Sequence, residues 1–184
     1  MKAIILAGGF GTRLLSIIGQ EIPKCMAPIN GKPFIEYIIN DMRKQGITDI
    51  TLSLHYKADV VMRYFGDSVK YQVDDEPLGT GGAIKNSIEG DEPVLVVNGD
   101  TFAPINYIDM MFKKTYPLSI AITDNGESSG IYIMNPDILE DFNEKSFSFE
   151  KDVISKTSTA FYHIPWFIDI GTPEGYARAK SIIS

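Results

Sequence analysis

A single cysteine, Cys25, stands among the 184 residues, so no internal disulfide framework organises the fold, and this usage fits a reducing compartment. Long apolar runs are missing as well. No stretch approaches the ~18 uninterrupted apolar residues that a membrane-spanning helix needs. The N-terminal apolar run meets glycines and Arg13 too early for a secretory signal peptide, and the expected location is cytoplasmic. There is no run of Lys or Arg. The 17 basic residues face 24 acidic ones, leaving a net charge of -7. Nucleic-acid duplexes and anionic membranes are recognised through a concentrated basic face, so neither is expected as a partner. Any phosphate ligand must be held by a few local groups or by metal ions. No repeat, low-complexity tract or linker interrupts the chain. Its length suits one domain, 1–184, with a sizeable core.

What is present is an alternation of short apolar runs and helical periodicities. Strands are expected at 2–7, 48–54, 69–73, 94–97, 118–123 and 131–134, with shorter candidates at 161–163 and 167–170. Helices are expected at 33–45, 58–65, 80–88, 106–114, 136–142 and 173–183. In the first of these, Ile35, Ile38, Ile39 and Met42 share one face and Gly46 supplies a stop. In the last, Thr172 is placed to cap and Pro173 to occupy the first helical position. Strands alternating with helices predict an α/β fold: a three-layer, Rossmann-like, mainly parallel sheet with helices on both faces. Ligands of such sheets sit beyond the carboxyl ends of the strands. The 8–13 loop and Asp100 both fall at strand ends and are expected to share one crevice.

Residues 7–14 read AGGFGTRL. Gly9-Phe10-Gly11 supplies two glycines of the dinucleotide fingerprint, but position 14 is Leu. No acidic residue follows the second strand, which runs into Leu54-His55-Tyr56. The Walker pattern is absent too. What remains is either a tight turn with an exposed arginine or an anion cradle. In the second case glycines let backbone N–H groups approach an anion, and Arg13 adds a bidentate fork.

Three further stretches and one isolated carboxylate bear on the choice. Lys24 lies between Pro23 and Pro28, which restrict the backbone on either side; it is an ordinary surface lysine or a fixed cation. Residues 75–83, DEPLGTGGA, form a second glycine-rich loop, either a flexible connector or a cradle for a base or sugar phosphate. Asn98-Gly99-Asp100 ends a wholly apolar strand with a carboxylate that serves a turn and cap or a hard metal ion. Asp169, flanked by Ile168 and Ile170, is costly unless paired, and a cation shared with Asp100 would pair it. The alternative is a charge favourable to the following helix.

In this order AGGFGTRL, PKCMAPINGKPFIEY, EPLGTGGA, VVNGD and FIDIGTPEGY resemble the sugar-1-phosphate nucleotidyltransferases. Within them the wording is closest to the D-glycero-D-manno-heptose 1-phosphate guanylyltransferases, with mannose-1-phosphate guanylyltransferases as near relatives. The resemblance implies the nucleotide-diphospho-sugar transferase type of fold and a Mg²⁺-dependent reaction. An oxygen of a sugar 1-phosphate attacks the α-phosphorus of a nucleoside triphosphate, GTP before the cytidine and uridine alternatives, and pyrophosphate leaves. Little proton transfer is needed there, so the absence of a nucleophile–base pair fits; the work is alignment and charge stabilisation.

The resemblance also implies a site. Leu6, Ala7, Gly8, Gly9, Gly11, Thr12 and Arg13 take the triphosphate, with Arg13 on the phosphates as they separate. Lys24 lies by the α-phosphate and the incoming sugar phosphate. Glu76, Pro77, Gly79, Thr80 and Gly81 belong to the loop that reads the base, and Asn98 and Gly99 lead to Asp100. Asp100 and Asp169 hold the Mg²⁺, while Gly130, Glu150 and Asp169 contact the sugar. His55 and His163 match no motif position and are expected to be structural or exposed. Cys25 stands where the family usually has proline. A homo-oligomer is compatible with all of this.

The resemblance breaks between the strands at 118–123 and 131–134. Relatives carry a few dozen more residues there, including a lysine motif that touches the sugar phosphate and an asparagine turn. Here Ser128-Ser129-Gly130 occupies the turn and the lysine motif has no counterpart. The nucleotide-binding core, 1–125, is intact and the sugar-side and C-terminal part, 126–184, is shortened. This leaves a second expectation: a nucleotide-binding protein of the same fold with little or no transferase activity.

Overall fold

The computed structural model describes residues 1–183; Ser184, the last residue of the expected domain, lies outside the described residues. Runs of β-branched residues with no polar face can only be buried on both sides. They form the middle of the sheet here. The chain runs β1 (Lys2–Leu6), α1 (Leu15–Ile18), β2 (Pro28–Ile29), β3 (Lys32–Pro33), α2 (Phe34–Lys44), β4 (Asp49–Leu54), α3 (Ala58–Phe65) and β5 (Lys70–Val73). It continues through α4 (Gly79–Ser87), β6 (Val94–Asn98), β7 (Thr101–Phe102), α5 (Tyr107–Phe112), β8 (Leu118–Thr123) and β9 (Ser128–Met134). It closes with β10 (Thr159–Ile164), β11 (Ile168–Asp169) and α6 (Pro173–Ile182).

Seven strands make the main sheet in the order β10-β8-β9-β6-β1-β4-β5. Only β9 is antiparallel to its neighbours β6 and β8, so the mainly parallel arrangement expected from the sequence is present. Successive residues of a strand face opposite sides, and two cores result. Ile5, Val97, Ile131 and Ile133 pack with Phe34, Ile35, Ile38, Ile39 and Met42 of α2. Ile4, Val96, Ile120 and Tyr132 pack with Ile84 of α4 and with Phe149 and Val153. Each such side chain contributes about 1.5–3 kcal/mol of burial. Helices therefore cover both faces.

The chain leaves β1 toward β4 and β5, then returns to place β6 on the other side of β1. This reversal is the switch point at which open α/β sheets bind ligands. The β1 and β6 ends are in register, with Leu6 beside Asn98.

Several details differ from the periodicity. The expected helix at 136–142 is one 3-10 turn, Pro136–Leu139. Leu139 is its only fully buried residue, so no apolar face extends it. A π-helical turn at Phe149–Val153 carries no sequence signal. β9 begins at Ser128, three residues before the expected strand, because the shortened segment is a closed turn. Thr123 N–H donates to Glu127 O at 3.0 Å and Gly126 N–H to Thr123 O at 2.8 Å. Thr172 caps α6 as expected, its hydroxyl accepting from Gly175 N–H.

The second glycine-rich loop is clamped by residues 145–149. Phe147 N–H donates to Leu78 O at 3.1 Å, and Gly81 N–H to Phe147 O at 3.0 Å. Gly79 has φ +67°, and a Cβ there would meet the carbonyl of Phe147. A side chain is thus refused both by the backbone angle and by the neighbour. Gly79→Ala is expected to cost about 2 kcal/mol or more of stability, read as a lower urea midpoint with an unchanged slope.

Candidate active site

The crevice forms where β1, β4 and β6 end. Ala7 N–H donates to Ser53 O at 2.8 Å, Gly99 N–H to Leu6 O at 2.8 Å, and Tyr56 N–H to Gly8 O at 3.3 Å. These bonds stitch the first glycine loop to the strands on either side. A cavity of about 310 Å³ opens beneath it. Of the residues expected to bind nucleotide, Leu6, Ala7, Gly8 and Gly9 line it from the first loop, and Pro77, Gly79 and Thr80 from the second. Asn98, Gly99 and Asp100 line it from the end of β6, and Lys24 closes one side. Of the 8–13 loop, Gly8, Gly9 and Phe10 share this crevice with Asp100 as expected.

Lys24 pairs with Asp100, and both side chains are less than a fifth exposed, at 19% and 18%. Gly11 makes this possible. It has φ +63°, and a Cβ there would sit 2.6 Å from the Cβ of Lys24, so a glycine lets the lysine stem pass under the loop. Neither Gly11, Thr12 nor Arg13 lines the cavity itself. Arg13 is exposed at its rim, and one of its guanidinium nitrogens lies with the carboxylate of Asp169 against Gly171.

Asp169 lies on the short strand expected at 167–170, and it reaches the site through a pairing that the sequence does not show. β11 pairs antiparallel with β7, setting Asp169 opposite Thr101, and Ile170 N–H donates to Asp100 O at 2.9 Å. Asp169 itself is exposed, so the burial cost expected from its two isoleucine neighbours does not arise; the protein packed along one side of its carboxyl, and then the charge of Asp100, raise it from its ordinary value. Gly171 N–H at 2.5 Å and the charges of Lys24 and Arg13 oppose this. Two carboxylates that raise each other's cost are relieved by a cation between them. Among the described residues no third acidic, His or Cys group joins them. Such a donor set suits Mg²⁺, which takes one or two carboxylates and completes its shell with waters and phosphate oxygens.

The remaining expected residues lie outside the cavity. Glu76 is exposed and paired with Lys145, which lowers its carboxyl. Gly81 is pressed against the ring of Phe147. Glu150 accepts from the hydroxyl of Thr80 at 2.6 Å and from Ser148 at 3.2 Å, and Gly130 backs the side chain of Asn98. His163 is exposed, 3.3 Å from Asp124.

His55 departs from expectation, because it lines the cavity. Its Nδ1 lies 2.9 Å from the carbonyl of Asp74, which requires the proton on Nδ1 and leaves Nε2 as acceptor in the neutral ring. Asp74, at the end of β5, is 7% exposed and also lines the cavity. Asn86 donates to its Oδ1 at 2.6 Å, leaving Oδ2 for another donor. A carboxylate after a strand reads in sequence as a turn residue, and no motif singled it out. Cys25 lines the cavity while remaining buried, and burial, with Asp100 second, pushes its thiol up to about 12. At pH 8 a thiol reagent is expected to label the native protein at least ~100-fold more slowly than the urea-unfolded chain.

Comparison with known proteins bears on this cleft. The nucleotidyl transferase family model matches residues 2–116. The chain is 36% identical to a D-glycero-alpha-D-manno-heptose 1-phosphate guanylyltransferase of Campylobacter jejuni, over 96% of this chain and 97% of that protein. It is 37% identical to the corresponding protein of Aneurinibacillus thermoaerophilus, over 98% and 97%. The crystal structure of HddC from Yersinia pseudotuberculosis complexed with GMP-PN superposes with a TM-score of 0.86 at 34% identity, covering 100% of this chain and 99% of that one. The alignments with the two curated relatives run over 216 and 225 positions. This chain has 184 residues, so those relatives carry residues within the matched span that it lacks. The likeness drawn from the five motifs is borne out, as is the fold they implied.

Proposed function

Because the chain belongs to the nucleotidyl transferase family, we propose that its cleft transfers GMP from GTP to a sugar 1-phosphate, D-glycero-D-manno-heptose 1-phosphate first, releasing pyrophosphate. The observation that carries the reading is convergence. Lys24, Asp100, Asp169 and Arg13 meet at the ends of β1 and β6, beside a cavity sized for a nucleoside.

In this reading the backbone of the first loop holds the triphosphate, and Arg13 at the rim takes charge from the departing pyrophosphate. Lys24 lies between the α-phosphate and the sugar phosphate, where an arriving phosphate oxygen competes with Asp100 for its ammonium group. No residue has to remove a proton, because the attacking phosphate is already ionised; the side chains align two anions and stabilise charge that builds as the bond changes. Asp100 and Asp169 would hold Mg²⁺, which when bound neutralises phosphate charge. Asp74 supports the choice of guanine, whose N1–H and N2–H₂ are adjacent donors that suit a buried carboxylate oxygen.

Asp100→Asn and Asp169→Asn are each expected to weaken the apparent affinity for Mg²⁺ by about tenfold or more, measured by titrating Mg²⁺ against rate; unchanged titrations in both variants contradict the shared metal. The reading as a whole is tested by pyrophosphate release across four triphosphates and several sugar 1-phosphates. Release with GTP and a manno-configured sugar 1-phosphate is expected. The shortened sugar side favours a second reading, a nucleotide-binding protein, and GTP binding without release across the whole panel selects it.

A further inference from the structure

β10 is the outermost strand of the main sheet, six residues long, and pairs only with β8. Every second residue of such a strand turns its N–H and C=O away from the sheet, and among the described residues no other backbone group meets them. Edge strands are ordinarily guarded by charge, proline or brevity. The opposite edge follows that rule: β5 has four residues, and its Lys70 reaches Asp49 and Glu89. β10 reads TAFYHI and holds no lysine, acid or proline. That is the composition of a strand with neighbours on both sides.

Apolar surface collects at the same edge. Phe161 stands in register with Ile120, yet it is 62% exposed, because no strand lies beyond it for its ring to pack on. On the other face of the sheet Lys113 lies over the ring of Tyr162, and Phe112, next to Lys113 in the chain, is 85% exposed.

A second copy of this chain fits the edge by shape and by charge. In a two-fold antiparallel pairing centred on Phe161, the two Phe161 rings meet on one face, as aromatic cross-strand pairs do. Thr159 then stands opposite His163, and Ala160 opposite Tyr162, a small residue against a large one. At one end of the strand is Lys156, exposed and lying over Phe142, on the Phe161 face. At the other end, on that same face, the exposed Asp124 lies 3.3 Å from His163. Antiparallel pairing sets the Lys156 end of each copy beside the Asp124 end of the other, and such an interface is isologous and closes on itself. We propose that β10 pairs with β10 of a second copy about this two-fold axis, joining two seven-stranded sheets into one. β8 and β9 separate β10 from the crevice at β6, so the pairing stands or falls independently of the transferase reading.

Sedimentation velocity over a wide range of concentration tests it. Wild type is expected to be a dimer with a Kd of about 10 μM or tighter. Phe161→Lys, at an exposed position where folding is not at stake, sets two ammonium groups opposite each other and is expected to raise Kd about 30-fold or more. Lys156→Glu turns each end-to-end attraction into a repulsion and is expected to raise Kd about tenfold; adding Asp124→Lys brings it back to within about threefold of wild type. A wild type that stays monomeric up to about 100 μM overturns the proposal. So does a dimer whose Kd is unmoved by Phe161→Lys, which places the interface elsewhere. A double charge variant that recovers nothing overturns the antiparallel pairing.

Discussion

Lys24→Ala is expected to lower the turnover number by about 10²–10³ and to leave the protein folded. The lysine is held on the last turn before β2 by two local hydrogen bonds, Met26 N–H to Pro23 O and Ala27 N–H to Lys24 O, neither of which needs its side chain. The ammonium group contacts the carboxylate of Asp100. Removing it leaves that carboxylate less than a fifth exposed and without its counter-charge, a cost of about 1 kcal/mol for a pair still in touch with water. The catalytic loss is larger, because a fixed cation beside a reacting phosphate stabilises charge that water stabilises poorly in a cleft. Turnover at saturating substrate, together with a urea unfolding curve, separates the two effects. A Lys24→Ala protein within about fivefold of wild-type turnover contradicts the role.

Asp74→Asn is expected to raise KM for GTP by about 10² and to erase the preference for GTP over inosine triphosphate, which lacks the N2 amine. The substitution keeps size and keeps the Oδ1 that Asn86 binds at 2.6 Å. What changes is the second atom, from an anionic acceptor to a donor facing the donors N1–H and N2–H₂. One charge-assisted hydrogen bond lost and one donor–donor clash gained are together worth about 2–3 kcal/mol. Kinetics with both triphosphates give the answer. A variant that still prefers GTP over inosine triphosphate assigns the reading of guanine elsewhere in the cavity, with His55 next in line through its Nε2.

The parts of this molecule that could be read from sequence are those where many residues repeat one signal. The apolar runs of β1 and β6 and the Ile35-Ile38-Ile39-Met42 face of α2 place the sheet, one core and the switch point. The strand-end position of Asp100 follows. Short-range chemistry was legible where glycine and charge stand together, as in the first loop and Lys24. The steric reason for Gly11, the stem of Lys24 beneath it, belongs to tertiary structure. The β7–β11 ladder is two residues long on each side and offers no period, yet it is what brings Asp169 to Asp100. The apolar neighbours of Asp169 and the resemblance suggested that pairing, where periodicity could not. The glycines of the second loop read as a ligand cradle, and Gly79 does line the cavity. Their lack of side chains also serves the Phe147 clamp, which is sixty-odd residues away in sequence and invisible to any local window. His55 and Asp74 illustrate the same limit, because each acquires its place only when the β4 and β5 ends meet α4.

The central claim is that a chain with a shortened sugar side completes a nucleotidyl transfer. Phosphorus NMR of the protein with GTP, D-glycero-D-manno-heptose 1-phosphate and Mg²⁺ tests it most directly. Pyrophosphate and the paired resonances of a GDP-sugar are expected to appear together in equal amounts as GTP disappears. GTP that binds and remains unchanged, with no sugar diphosphate formed, contradicts it.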